Sequence, residues 1–495
     1  MAPLVSASRM ATLLGDFDRS PAYLGLAEAL RLAVGDGRVP FGARLPSERE
    51  LTTALGVSRT TVTRAYALLV EQGYAVTRRG AGTFAHVPGG PDRARDRALT
   101  PRPTRTVPRA DGLGDRGGLG DDDLVDLVCA AGSAPPGVAE AYAAAVGDLP
   151  AYLGGHGYFP TALPCLAEAV AALYERRGVP TSPDQVVVTA GALAGTAIVA
   201  QAVLGPGDRA LVENPVYPNA VHALRHAGAR IATAPVAPTA WDLDAYAAAL
   251  RQAAPRAAYL ICDFQNPTGH LLDDAGRERL AADLRAAHAV PVVDESHRDL
   301  LLDDGPMPAP FAAHAPEAIS IGSASKAVWG GLRLGWLRMP TAATAELVEA
   351  RLGLDLGAPV LEQLVLTRLL ATWPEVVRAQ RERLRAQRDH LVALVREHLP
   401  AWRFTVPRGG MVLWCELPAP NASAVALAAE RRGVAVSAGP QFAPGGGLDR
   451  FVRLPWVAPP DELERGVRRL AAAAAEVDGD EPRGSGRPAA PVLVA

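Results

Sequence analysis

Short, wholly apolar runs recur through the middle of the chain, and longer segments rich in Ala, Leu and Arg separate them. A strand that is apolar on both faces must be covered on both faces, and connecting helices supply that cover in a mostly parallel sheet. The pattern therefore predicts an α/β body whose ligands bind beyond the carboxyl ends of the strands. The runs lie at residues 186–188, 210–212, 258–262, 290–293 and 319–321.

The first 86 residues follow a helical pattern instead. Three apolar residues spaced four apart, the last being Val34, predict a helix over about 22–35. Ser47 and Glu50 have the spacing of a capping box, which predicts a second helix start, and Ser58 caps a third helix after a short Gly-Val break. Two helices joined in this way predict a helix-turn-helix, in which the start of the second helix reaches base edges.

A hairpin with an Arg- and Gly-rich tip is predicted next, with strands at 74–77 and 83–85. Such a wing lies along a phosphate backbone. Residues 1–86 contain ten Arg against seven Asp and Glu, a local positive excess in a chain of net charge −3. An interaction module without DNA contacts is the alternative, but the outward residues are polar and basic. The candidate DNA-binding residues are Ser47, Arg49, Ser58, Arg59, Thr60, Thr61, Thr63, Arg64, Arg78 and Arg79.

Composition narrows the remaining classes of function. The four cysteines are far apart in the sequence, so neither a metal site nor a disulfide framework is predicted, and a cytoplasmic location is expected. No apolar run approaches the roughly 18 residues of a membrane-spanning helix, and no signal peptide is indicated. Changes in composition predict a DNA-binding head at 15–86, a flexible linker at 87–123, a body at 124–478 and a disordered tail at 479–495.

One residue of the body belongs to a type that the chain otherwise avoids. Of the 50 basic residues, all are Arg except Lys326. A lysine amine can lose its proton and attack an aldehyde, whereas a guanidinium stays charged. Pyridoxal phosphate (PLP) is an aldehyde cofactor that lysines hold as a Schiff base. Ser323 and Ser325 add hydroxyls beside Lys326, and Arg333 adds a fork of donors shaped for a phosphate.

Further groups suited to PLP follow the predicted strands. Gly191 and Ala192 form a small-residue turn into a helix, whose N–H groups suit a phosphate. Tyr217 offers an aromatic face for the pyridine ring, with a core tyrosine as the alternative reading. Asn266 offers an amide donor for the ring's phenolate oxygen. Asp294 ends an apolar run, where a carboxylate needs a partner, and we expect it to pair with the protonated ring nitrogen.

Two parts of the chain resemble known families. Residues 46–51, 55–62 and 80–84 resemble the GntR family of winged-helix repressors, over roughly residues 20–86. The order of glycine-rich turn, tyrosine, Asn-Pro-Thr-Gly, aspartate, Ser-x-Ser-Lys and arginine resembles class I aminotransferases of PLP fold type I, over about 125–475. The second resemblance implies a large part at about 150–345 and a smaller C-terminal α+β part at about 346–478.

The aminotransferase resemblance also implies roles for two more residues. Arg453 stands where that family grips the α-carboxylate of a substrate. His297 stands where the family usually has a tyrosine against the phenolate oxygen of PLP, and it becomes a candidate cofactor contact. Because the proton shuttle depends on that environment, this departure puts efficient transamination in doubt.

Together the two parts resemble the MocR/GabR group of bacterial regulators. The resemblance implies a PLP-dependent transcription factor that binds an operator as a homodimer, with each head over the partner's body. Its effector is expected to be an amino compound that exchanges with Lys326 on PLP. Two alternatives are a working aminotransferase with an accessory head, and a sensor of PLP itself.

Overall fold

The computed structural model describes residues 5–35, 38–39, 42–78, 80–86, 124–237 and 240–479. Contacts divide the chain into two units, one of residues 1–98 with 133–148 and one of residues 99–132 with 149–495. The first unit thus includes a stretch, 133–148, that the sequence pattern assigned to the body. The predicted linker at 87–123 lies outside the described residues, and so does the predicted tail except Gly479, which ends the last helix.

The first unit contains a winged helix-turn-helix, as predicted. Ser47 Oγ accepts a hydrogen bond from Glu50 N at 3.3 Å, and Glu50 Oε2 accepts one from Ser47 N at 2.8 Å, which completes the capping box. Gly56 ends that helix with a left-handed φ of 63°, a conformation that favours glycine. The elements are α1 (Ala7–Leu14), α2 (Ala22–Gly35), α3 (Glu48–Leu55), α4 (Arg59–Glu71), the antiparallel strands β1 (Ala75–Arg78) and β2 (Gly82–Ala85), and α5 (Val138–Asp148).

Helix α1 was not predicted. Its Met10 and Leu14 belong to the same buried cluster as Leu26 and Leu30 of α2, so α1 is part of the core of this unit. Only one face of the short α1 is apolar, and the run was too brief to stand out from its surroundings. In α3, Leu51 is fully buried and Leu55 is half-buried.

The second unit holds the remaining elements. Its helices are α6 (Pro164–Arg176), α7 (Ala192–Val203), α8 (Pro218–His226), α9 (Leu243–Ala253), α10 (Asp274–Ala286), α11 (Phe311–His314), α12 (Ala324–Ala327), α13 (Thr341–Leu352), α14 (Val360–Ala371), α15 (Trp373–His398), α16 (Ala422–Arg431) and α17 (Pro460–Gly479). Its strands are β3 (Val125–Leu127), β4 (Val186–Thr189), β5 (Arg209–Asn214), β6 (Arg230–Pro235), β7 (Ala257–Leu260), β8 (Val290–Asp294), β9 (Ile319–Ser323), β10 (Gly335–Arg338), β11 (Val412–Glu416), β12 (Val434–Ala438) and β13 (Phe451–Pro455).

The larger sheet has the strand order β4-β10-β9-β8-β7-β5-β6. Only β10 runs antiparallel to its neighbours, so the prediction of a mostly parallel sheet is confirmed. The five apolar runs became β4, β5, β7, β8 and β9, whereas β6 and β10 were missed. Leu211 and Val212 are adjacent and fully buried but belong to different core clusters, because helices cover both faces of the sheet.

The smaller sheet has the order β11-β13-β12-β3. Side chains of α15, α16 and α17 pack on it in one apolar cluster. Strand β13 carries Arg453 and β3 leads directly into Val128, so this sheet supplies two of the segments that meet at the candidate site. The α/β fold class with a smaller C-terminal α+β part is therefore confirmed.

Candidate cofactor site and DNA-binding surface

Lys326 lies just beyond β9, in the four-residue helix α12. Ser323 begins this helix, and its Oγ accepts a hydrogen bond from Ser325 N at 3.1 Å. Lys326 Nζ donates to Ala130 O at 2.9 Å. Burial, aided by the charges of Arg453 and Arg333, lowers the pKa of Lys326 to about 8, and Cys129 and Asp294 oppose the shift. A lysine with this pKa is a competent nucleophile near neutral pH.

Arg333 and the start of α7 form a cradle for an anion. Gly191 is the residue before α7 and has a φ of +97°, a conformation that L side chains rarely adopt. Arg333 Nη2 donates to Ala190 O at 3.0 Å. A Cβ on Gly191 would lie 3.1 Å from Arg333 Nη2, so a larger residue there would displace the guanidinium. The N–H groups in the first turn of α7 have no partner within the helix, and beside the exposed guanidinium they suit a phosphate.

Asp294 is a buried carboxylate at the end of β8. Its Oδ2 accepts a hydrogen bond from Tyr259 Oη at 2.6 Å, and its Oδ1 accepts one from Ser296 N at 2.8 Å. Burial and the Asp294 charge raise the pKa of Tyr259 well above its usual value, so the phenol stays a donor. No Arg, Lys or His nitrogen within the described ranges lies within 4.0 Å of the Asp294 carboxylate. A buried carboxylate without a cation suits a cationic ligand atom.

Arg453 is fully buried on β13, and its hydrogen-bond partners among the described residues are neutral. Its Nη1 donates to Asn266 Oδ1 at 3.1 Å and its Nη2 donates to Val128 O, whereas its Nε has no partner among the described residues. The guanidinium lies 5.0 Å from the centre of the Phe442 ring. Burial lowers the pKa of Arg453 to about 10. Because Asn266 uses its oxygen on Arg453, its amide nitrogen is left to donate to a ligand.

His297 is buried beside these cations. Burial, followed by the charges of Lys326 and Arg453, lowers the pKa of His297 to about 3, so the imidazole is neutral at physiological pH. Its Nδ1 has no hydrogen-bond partner among the described residues. The charges that act on His297 and Lys326 place both side chains in the same neighbourhood as Arg453.

Tyr217 stands immediately before α8 and is half-buried. Its hydroxyl accepts a hydrogen bond from Asn219 Nδ2 at 2.9 Å. Burial raises the pKa of Tyr217, and the charges of Asp294 and Arg453 also act on it. The tyrosine therefore lies in the same neighbourhood, and it also packs against the apolar cluster beside β4 and β5.

Several partners of these residues were not predicted from the sequence. The carbonyls of Val128 and Ala130 hold Arg453 and Lys326, and nothing in their residue types indicates this, because backbone carbonyls are common to all residues. Cys129 lies between them, and burial raises the pKa of its thiol. Tyr259 carried a usable signal, since it is the one polar-tipped aromatic residue in an otherwise apolar run.

The candidate DNA-binding residues lie around α3, α4 and the wing. Ser47, Arg49, Ser58, Arg59, Thr60, Thr63, Arg64 and Arg78 are exposed, and Thr61 is half-buried. Arg79 lies outside the described residues. Arg59, Thr60, Thr63 and Arg64 of this set form the polar start of the second helix, in keeping with the helix-turn-helix prediction.

Contacts within the head orient several of these side chains. Glu48 Oε2 accepts a hydrogen bond from Thr63 Oγ1 at 2.9 Å and lies 3.5 Å from Arg59 Nε. Arg64 stacks on the Tyr23 ring at 3.6 Å, and Arg78 lies 4.8 Å from the centre of the Phe84 ring. Ser58 Oγ accepts from Thr61 N at 3.0 Å and so caps α4.

Comparison with family models gives two matches that divide the chain. The model "Aminotransferase class I and II" matches residues 135–470, and the model "Bacterial regulatory proteins, gntR family" matches residues 22–85. Each match covers one of the two regions that the sequence patterns separated.

Individual proteins resemble either the body or the whole chain. A 2-aminoadipate transaminase of Thermus thermophilus is 36% identical over 304 residues, 59% of this chain and 75% of that enzyme. The crystal structure of LysN, an α-aminoadipate aminotransferase from Thermus thermophilus complexed with N-(5'-phosphopyridoxyl)-L-leucine, superposes with a TM-score of 0.66 at 30% identity, over 72% of this chain and 93% of that one. The uncharacterized HTH-type transcriptional regulator YdcR of Escherichia coli is 28% identical over 466 residues, 87% of this chain and 94% of that protein.

The described ranges contain neither a metal-binding cluster nor a membrane-spanning helix. They contain no group of three or more His, Cys, Asp or Glu side chains arranged to hold a metal ion. None of their helices is both long and apolar enough to cross a membrane.

Proposed function

Because the chain belongs to the aminotransferase class I and II family and joins that body to a GntR-type head, we propose that it is a transcriptional regulator that binds PLP and responds to an amino compound. The observation that carries the proposal is the neighbourhood of Lys326, Asp294 and Arg453 in a chain that also presents an exposed helix-turn-helix. The similarity to a regulator over 94% of that regulator's length supports the same assignment.

The residues of the site fit PLP group by group. Bound PLP supplies an aldehyde that condenses with amines and a pyridine ring that withdraws electrons. Lys326 would hold the aldehyde, Asp294 the ring nitrogen and Asn266 the phenolate oxygen, with His297 beside it. Arg333 and the Gly191-Ala192 start of α7 would hold the phosphate, aided by Ser323 and Ser325, and Tyr217 would cover the ring.

An effector would be held at two points. Its amine would replace Lys326 as the partner of the cofactor, and its carboxylate would bind Arg453, whose buried charge has no anionic partner among the described residues. Both cations now hold carbonyls of one segment, at Val128 and Ala130. An effector would compete for these hydrogen bonds. The segment runs within a few residues into 133–148, which groups with the DNA-binding unit, so the chain itself offers a route for the signal.

Exposed apolar side chains support the homodimer proposal. Leu153 is 70% exposed and Tyr158 58%, which is unusual for large apolar residues of a folded domain. A second copy of the chain would cover them. Leu193, Trp329, Leu352, Leu354 and Leu356 of the same unit are also exposed. The head-to-tail arrangement of the two copies and a cytoplasmic location stay predictions.

The pKa of Lys326 leads to a specific pH dependence of PLP loading. With a pKa of about 8, about a tenth of the amines are neutral at pH 7 and about nine tenths at pH 9. We expect the second-order rate of loading of apoprotein to rise about tenfold over this interval and to level off above pH 8. Stopped-flow absorbance with Nα-acetyl-lysine as the reference amine measures this.

The reference amine shows how much of the pH dependence of the loading rate comes from PLP itself and how much from Lys326. An amine with the ordinary pKa of 10.5 should react about a hundredfold faster at pH 9 than at pH 7, with no levelling. A loading rate that follows the reference amine through pH 9 would show that Lys326 has an unshifted pKa.

Arg59 tests the DNA-binding part of the proposal. Arg59→Ala should weaken binding of the full-length protein to a DNA sequence selected from a random pool by roughly five- to 150-fold, the loss of one base contact worth about 1–3 kcal/mol. Its exposed pairing with Glu48 contributes little to folding, so the fold should be unaffected. Titrations at one fixed salt concentration measure the change.

A matched control and a ligand series complete this test. Arg9→Ala removes an exposed arginine of α1, outside α3, α4 and the wing, and should bind the same DNA as wild type does. Equal losses in both variants would mean that the head attracts DNA by charge alone. Amino acids should change the DNA affinity of the PLP-loaded protein; steady turnover with a keto acid and no such change would favour the aminotransferase alternative.

A further inference from the structure

Gln265 is a fully buried glutamine whose side chain uses every hydrogen-bonding position it has. Its Nε2 donates to Glu213 Oε2 at 2.8 Å and to Pro215 O at 2.7 Å. Its Oε1 accepts from Thr268 N at 2.9 Å and from Thr268 Oγ1 at 2.8 Å. A glutamine amide has two donors and two acceptor positions, so the side chain is saturated.

Glu213 extends this contact to the neighbouring strand. It is fully buried near the end of β5, and its Oε1 accepts a hydrogen bond from Ile261 N, just past the end of β7, at 2.6 Å. No Arg, Lys or His nitrogen of the described residues lies within 4.0 Å of its carboxyl group. A buried carboxyl group without a cation is costly, and nothing in the proposed chemistry uses it.

The two side chains join the two loops that carry candidate ring contacts. Pro215 lies two residues before Tyr217, and Asn266 directly follows Gln265. These loops leave adjacent parallel strands, β5 and β7, whose ends alone do not fix how far apart the loops stand. Hydrogen bonds from one amide to both loops do fix that separation.

We propose that Glu213 and Gln265 are positioning residues that set the distance between Tyr217 and Asn266, and thereby the width of the slot for the cofactor ring. The inference rests on the proposed function, because Tyr217 and Asn266 matter here only as contacts of PLP. Glu213 and Gln265 bond to protein groups and would not themselves hold the cofactor. Their effect reaches it through the loops they join.

Gln265→Met tests the inference in full-length protein, since methionine keeps the length and loses all four hydrogen bonds. We expect the dissociation constant of PLP to rise at least tenfold, and the pH midpoint of the visible absorbance of the loaded protein to shift, because Asn266 no longer donates in a fixed place. A merely structural role would leave that midpoint unchanged.

Gln363→Met is the matched control. Gln363 is also fully buried and also bridges two segments, accepting from Leu163 N at 2.8 Å and donating to Ala358 O at 2.9 Å, but it lies on neither loop. Gln363→Met should lower the thermal stability of the protein. The dissociation constant of PLP and the pH midpoint of the visible absorbance should keep their wild-type values. Equal shifts in both glutamine variants would overturn the inference, as would wild-type behaviour of Gln265→Met.

Glu213→Gln decides the matter if Gln265→Met does not fold. The amide oxygen can still accept from Ile261 N, but its NH2 group faces the amide nitrogen of Gln265, so the Glu213–Gln265 bond is lost while the bond from Gln265 to Pro215 O remains. We expect a rise in the dissociation constant of about threefold to tenfold; an unchanged value would overturn the inference. Wild-type protein that binds no PLP at all would overturn the proposed function and this inference together, whereas normal wild-type binding with unaffected variants would overturn the inference alone.

Discussion

Lys326→Arg is expected to abolish covalent attachment of PLP and the visible absorbance that accompanies it. The variant keeps the positive charge, but a guanidinium does not lose its proton and cannot attack the aldehyde. Lys326 is also the single lysine of the chain, so no other side-chain amine can replace it. Borohydride reduction followed by peptide mass spectrometry should find PLP on the Lys326 peptide of wild type and on no side chain of the variant.

Binding of PLP without the covalent bond should persist in this variant, but weakly. Arg333, the start of α7 and Asp294 are untouched, so we expect the dissociation constant to rise about a hundredfold or more, which corresponds to roughly 3 kcal/mol. Equilibrium dialysis measures it. Lys326→Ala serves as the control for charge and should lose the absorbance equally. Normal visible absorbance in either variant would contradict the central role of Lys326.

The head was predictable because its signals are local. The capping box of Ser47 and Glu50 and the cap at Ser58 each lie within four residues, and short-range chemistry of this kind can be read directly along a sequence. The strand ends of the body were predictable for a related reason. An apolar run ends where the chain leaves the sheet, so Asp294 and Asn266 were found from the runs that precede them.

The unpredicted part of the site depends on contacts between distant residues. Arg453 and Val128 are separated by 325 positions, and Lys326 and Ala130 by 196. Every residue has a backbone carbonyl, so no sequence pattern could indicate that these two carbonyls accept hydrogen bonds from Arg453 and Lys326. The sequence shows that residues 265 and 213 are Gln265 and Glu213. Their proposed role, however, depends on the register between β5 and β7, which only the folded sheet specifies. Strand β10 was missed because an antiparallel strand inserted among parallel ones has no distinctive pattern of its own.

Arg453→Gln is expected to abolish the response to amino acids while PLP remains bound. The guanidinium is fully buried and donates to the oxygens of Val128 and Asn266, and burial has already lowered its pKa to about 10. A carboxylate would therefore gain a buried, charge-assisted pair, which typically contributes about 2–5 kcal/mol. Its loss should weaken amino-acid binding by at least about thirtyfold.

Amines without a carboxylate provide the control that isolates this interaction. A panel of common amino acids and their decarboxylated amines should be titrated into PLP-loaded wild type and Arg453→Gln, with the visible spectrum as the readout. The two proteins should bind each amine alike, because the amines do not engage Arg453, and should differ only for the amino acids. If Arg453→Gln weakened both series equally, Arg453 would act by holding Asn266 and Val128 in place, and the effector would have to be recognised without its carboxylate. Arg453→Lys should recover part of the discrimination, since it restores the charge without the fork of donors.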